Sequence, residues 1–104
     1  MAEHPLKIFE EIDSELLKLI QNTNAFALAD GALTKKFKFL IAMALDASHG
    51  AVEGVRSLAG QAMKAGATKE EIAETIRVAQ YISGVGCVYT AARAFKDLFG
   101  RTTI

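Results

Sequence analysis

Apolar residues recur at intervals of three and four along most of the chain, in stretches separated by turn residues, and this period predicts helices. The first stretch follows Pro5, which a first helical turn tolerates, and runs through Ile8, Phe9, Ile12, Leu16, Leu19, Ile20 and Thr23 to about Ala29. Asp13-Ser14 has the chemistry of a fresh N-cap, so the stretch forms either one bent helix or two consecutive ones. Asp30-Gly31 reads as a turn. Thr34 is then expected to cap a helix to Ser48, with Phe37, Leu40, Ile41 and Ala44 in one stripe and Phe39, Met43 and Leu45 on its other sides. A helix this apolar belongs in the centre of a bundle or at a subunit contact.

After His49-Gly50 a further stripe runs through Ala51, Val55, Leu58, Ala59 and Ala62, while Glu53, Arg56 and Lys64 point elsewhere. Gly66 suits a helix C-terminus. Thr68-Lys69-Glu70-Glu71 has the form of a capping box, in which the threonine hydroxyl and the Glu71 carboxylate each satisfy a first-turn amide. Ile72, Thr75, Ile76, Ala79 and Ile82 mark the face of that helix until Ser83-Gly84-Val85-Gly86 interrupts it, and Val88, Ala91, Ala92, Phe95 and Phe99 carry a last helix. Residues 101–104 are expected to fray. No alternating run bounded by turn signals appears, so the pattern predicts one all-α domain over residues 1–104, a compact bundle of five to six helices.

Composition narrows the partners. A chain of 104 residues is one domain and removes roughly 60–65% of its unfolded surface from water. Half of it is apolar, 51% against 23% charged, which is more than so small a fold hides, so self-association into a homo-oligomer is expected. Twelve basic and twelve acidic side chains cancel, leaving no electrostatic footprint for nucleic acid or an anionic membrane surface. The longest apolar run, Phe39 to Leu45, is far shorter than the roughly 20 residues that span a bilayer. Glu3 and Pro5 stand where a signal peptide needs basic and then apolar residues, so a cytoplasmic location is expected. A single cysteine, Cys87, permits no intrachain disulfide and no multi-cysteine metal site, and no metal or cofactor is implied.

Three features carry candidate chemistry. Asp46, His49 and Glu53 share one face if the helix continues through Gly50 and remain close if it bends there, and an imidazole between two carboxylates can shuttle protons or hold a divalent ion with them. The alternative is a solvated helix end, with Glu53 favouring the positive start of the next helix. Cys87 opens the last helix, where the dipole favours a thiolate; it is either a lone redox thiol or a small apolar residue packed among Val85, Val88 and Ala91. Tyr81 and Tyr89 either line a pocket at the glycine-rich break or pack in the core.

Asp30-Gly31-Ala32-Leu33-Thr34-Lys35-Lys36, Leu40 to Leu45, Gly66-Ala67-Thr68-Lys69-Glu70-Glu71-Ile72 and Ser83-Gly84-Val85-Gly86 before an alanine-rich helix ending Ala94-Phe95 resemble, in order and spacing, the carboxymuconolactone decarboxylase family, which includes alkylhydroperoxidase D. The resemblance covers about two thirds of the chain, from Gly31 onward. It implies an alkylhydroperoxidase D-like helical fold, assembly as trimers, hexamers or similar rings, and either lactone decarboxylation or thiol-based hydroperoxide reduction. In the thiol branch a glutamate precedes a Cys-x-x-C-x-x-x-His segment. Gapless threading puts Phe39 at that glutamate, Ala51 and Gly54 at the cysteines, and Leu58 at the histidine. None can support a disulfide relay. The decarboxylase branch carries polar residues along this segment, and Glu53 matches one of them.

The leading expectation is therefore an acid/base enzyme in which His49 carries the proton, Glu53 is its partner or a second acid/base group, and Asp46 orients it. Its substrate would be a small apolar or carboxylated molecule in a pocket walled by Phe39, Leu58 and Cys87. The alternatives are a non-catalytic ligand-binding or assembly module, and peroxiredoxin-like reduction through Cys87.

Overall fold

Local hydrogen bonds set the helix boundaries in the computed structural model, which describes residues 4–100. A short 3-10 turn, Pro5–Ile8, is opened by the His4 ring, whose Nδ1 accepts from the Leu6 amide at 3.1 Å. It runs into α1, Phe9–Ile12. Asp13 leaves helical geometry at φ −165°, and its carboxylate accepts from the Leu16 amide at 3.0 Å to open α2, Ser14–Leu28. The N-terminal stretch is thus two helices, divided at the cap within it.

α3 spans Lys35–Ser48, as expected, but its cap differs. The Thr34 hydroxyl makes no capping bond, and the first free amide, that of Lys35, donates to the Asp30 carboxylate at 3.0 Å instead. The buried stripe of α3 differs too: Phe39, Leu40, Met43 and Ala47 face inward, while Phe37, Ile41 and Leu45 stay 47–57% exposed. A helix apolar nearly all round carries no instruction about which face is inner. Here α4, α5 and α6, all packed against α3, decide it.

α4 spans Val52–Lys64, α5 Lys69–Ser83 and α6 Gly86–Phe99, and no strand occurs among the described residues. The core is built from few large residues and many small ones. Met43, Val55 and Ile72 are at most 1% exposed, and Ala47, Ala59, Ala62, Ala91 and Ala94 let α3, α4 and α6 approach closely. Phe95 and Phe99 close one rim in an edge-to-face pair with centroids 5.6 Å apart.

The capping box at α5 is complete: the Glu71 amide donates to the Thr68 hydroxyl at 3.0 Å and the Thr68 amide to the Glu71 carboxylate at 2.9 Å. Lys36 adds an ion pair to Glu71 at 3.0 Å, tying α3 to the start of α5. The Thr68 amide first, and Lys36 second, hold the Glu71 carboxyl below the ordinary glutamate range. This contribution to stability is present at neutral pH and is lost as the pH falls through the lowered folded-state value. Thr68→Ala removes one of the two reciprocal bonds and should cost about 1 kcal/mol, read in a thermal melt as a drop of roughly 4–8 °C.

α2 stands apart from this body. None of its residues is buried, and it meets α3 only lightly, near its own C-terminus. The radius of gyration is accordingly 14.8 Å, against about 13 Å for a compact chain of this length.

Candidate functional site

The turn between α3 and α4 collects most of the polar candidates. Gly50 takes φ +76°, which residues with a Cβ rarely adopt, and reverses the chain there. The Ala51 amide then donates back to the Asp46 carbonyl at 2.9 Å, and the His49 amide reaches the Leu45 and Asp46 carbonyls, each at 3.1 Å. His49 ends α3 with its ring exposed. One continuous helical face through Asp46, His49 and Glu53 does not form, because Gly50 breaks the helix in its middle.

Asp46 and Glu53 are treated differently by the fold. The half-buried Asp46 carboxylate lies on the backbone of Gly54, in the space a Cβ at position 54 would need. This seat is the first turn of α4, where Ala51 supplies no side-chain cap and the helix presents its positive end, so an anion is stabilised there. Glu53, 87% exposed, turns away to pair with Arg56. Arg56 also reaches Asp97 on α6 at 2.9 Å, and the hydrogen bond to Glu53 is the largest cause raising its already high pKa. Structure therefore joins Asp46 and His49 at the corner and commits Glu53 to a pair beside it.

Spacing gave no sign of two further members of this corner. The Ser48 and Ser83 hydroxyls are 2.8 Å apart and tie the end of α3 to the end of α5, which brings the Gly84 break beside His49. Only tertiary packing makes neighbours of residues so distant in sequence. Gly54 is the third residue that was not singled out for chemistry, and it matters through the side chain it lacks.

The other expected site residues are dispersed. Phe39 and Cys87, 8% and 3% exposed, belong to the core, and Leu58 packs against it. Phe39 also lines a groove of about 480 Å³ with Leu28 and Gln61, while Leu58 and Cys87 pack between the closely spaced helices. Cys87 has no disulfide partner and is buried at the opening of α6. Tyr81 and Tyr89, 82% and 62% exposed, flank the glycine-rich break and do not pack in the core.

Two other surface grooves lie away from Phe39, Leu58 and Cys87. One of about 610 Å³ runs between α3 and α5 past Leu33, Phe37, Ile41, Leu45, Glu74 and Val78. A smaller one of about 430 Å³ separates α5 from α6 beside Ala73, Arg77, Gln80 and Val88. Among the described residues no group of three His, Cys, Asp or Glu side chains could hold a metal ion, and no helix is long and apolar enough to cross a membrane.

These features define an all-helical bundle with an acidic and imidazole-bearing corner at the α3–α4 turn and its cysteine in the core. The model of the carboxymuconolactone decarboxylase family matches residues 14–97, and the chain belongs to that family. Comparison with curated proteins and with solved structures returns no match.

Proposed function

We propose that this family member is a homo-oligomeric enzyme that applies acid/base chemistry at the α3–α4 corner to a small lactone or carboxylic acid. One observation carries the reading. At position 54, where gapless threading puts the second cysteine of the thiol branch, the missing side chain is replaced in space by the Asp46 carboxylate. A group that can orient or exchange protons thus occupies the room of a group that would exchange electrons.

His49 is the proton carrier, lying three residues from Asp46 at the end of α3 and open to an incoming molecule. The positive start of α4 favours a substrate carboxylate or a developing enolate. Loss of CO2 from such a substrate leaves an electron pair on carbon, and the His49 imidazolium protonates it. Glu53, held by Arg56, serves as the second carboxylate at the rim. Exposure of His49 on a single subunit favours a second reading, a non-catalytic ligand-binding assembly.

The test is a screen of lactones, small carboxylic acids and organic hydroperoxides against wild type, Asp46→Asn and Cys87→Ser. A lactone or acid should be turned over, slowly or not at all by Asp46→Asn, and normally by Cys87→Ser apart from some loss of stability. Hydroperoxide reduction abolished in Cys87→Ser would overturn the proposal. Light scattering at micromolar concentration should report a trimer or larger, whereas a monodisperse 11.2 kDa monomer would remove the oligomeric half of the reading.

A further inference from the structure

We infer that α2 of one copy seats its apolar stripe in the α3–α5 groove of a second copy, and that this exchange is the contact on which the assembly is built. The inference rests on the homo-oligomeric half of the proposed function. It goes beyond it by naming both surfaces.

The first observation is a helix without a partner. On α2, Leu16, Leu19 and Phe26 follow one another at steps of three and seven residues, the spacing of a helix-packing seam, and are 37, 62 and 86% exposed. α2 is 15 residues long and contains Asn22, Thr23 and Asn24, all weak helix formers, in its second half. A helix of this length and composition is marginal in water, so its stability must come from packing that its own subunit does not provide.

The second observation is a groove of matching kind and size. Phe37, Ile41 and Leu45 line it from α3 and Val78 from α5, each about half exposed or more. From Leu16 to Phe26 a helix rises roughly 15 Å, and from Phe37 to Leu45 roughly 12 Å, so the stripe and the groove cover similar lengths. Charge agrees. The rim of the groove carries Glu71 and Glu74, and the one cation on α2, Lys18, adjoins Leu19; Lys18 and Glu74 make no ion pair among the described residues. The α5–α6 groove is smaller, and it carries Arg77, which offers Lys18 nothing.

The contact joins two different surfaces: each copy gives a helix and receives one, either reciprocally between two copies or head to tail around a closed ring. It is tested by disulfide trapping with Leu19→Cys and Ile41→Cys, the midpoints of stripe and groove, which lie close in either helix direction. Each variant is oxidised alone and then after mixing and exchange, with wild type as the control for buried Cys87. A disulfide-linked dimer that forms in the mixture, and only weakly with either variant alone, is the expected result. Linkage in Leu19→Cys alone would show α2 paired with α2, linkage in Ile41→Cys alone would show groove against groove, and either would overturn the inference. A particle that is oligomeric by light scattering yet gives no mixed dimer would also overturn it and leave the oligomer standing, while a monomer would sink both. Should one variant fail to fold by circular dichroism, Leu16→Cys or Val78→Cys replaces it on the same surface.

Discussion

Replacing His49 by glutamine is expected to lower turnover of the lactone or acid substrate by roughly 100- to 10,000-fold, the usual contribution of a general acid or base. Glutamine keeps a polar side chain at the helix end but cannot carry a proton. The fold should survive, since the ring is exposed and the bonds that close α3 at this residue come from its backbone amide. Thermal melts of the two proteins should therefore differ by no more than about 0.5 kcal/mol, the ordinary range for a surface change. A helix-end histidine with no chemical role would give the same melt with undiminished turnover, so measuring both quantities in one preparation separates the roles. Equal rates in wild type and His49→Gln would move the proton carrier elsewhere and leave Asp46 without the partner proposed for it.

The largest stability effect should come from Met43→Ala. Met43 is fully buried at the middle of α3, where α4, α5 and α6 meet it, and the surrounding alanines have no flexible side chains to swing into the vacated space. Deleting a core side chain of this size costs about 2–5 kcal/mol, a large part of the roughly 5–15 kcal/mol that holds such a domain together. At fixed protein concentration the melting temperature should fall by roughly 10 °C or more. Met43→Leu keeps the volume and should cost less than about 1.5 kcal/mol. If Met43→Ala melts like wild type, the inward face of α3 has been assigned to the wrong residues.

That assignment is also where sequence reasoning reached its limit. Boundaries set by local hydrogen bonds were legible: Thr68 and Glu71 make both bonds of their box, Asp13 caps α2, and the glycine-rich break separates α5 from α6. Thr34 misled because Asp30, across a tight turn in which the Gly31 amide reaches the Leu33 carbonyl, competes for the same amide. Faces were legible only where polar residues opposed apolar ones, as on α4, whose Val55, Ala59 and Ala62 are all inside. On α3 apolar residues lie on nearly every side, so the inner stripe is decided by partners, and Phe37 and Ile41 came out where Phe39 and Met43 went in. Of the site, Asp46 and His49 were legible as neighbours. Their separation from Glu53 depends on Gly50 breaking the helix, and Ser83 beside Ser48 depends on how α5 lies across α3, neither of which a spacing rule contains.

The seat of Asp46 on Gly54 has a consequence for how this chain could change over generations. A cysteine at position 54 and a carboxylate lying over the start of α4 exclude each other, because both claim the same volume. A single mutation to cysteine would displace the acid before any second thiol existed at position 51 to make use of it. A disulfide relay at these two positions would thus be acquired through an intermediate with one thiol and a displaced carboxylate, unless Asp46 shrinks first. The missing side chain of one glycine acts as a ratchet, and the order of substitutions, more than their number, governs whether a thiol pair can be built there.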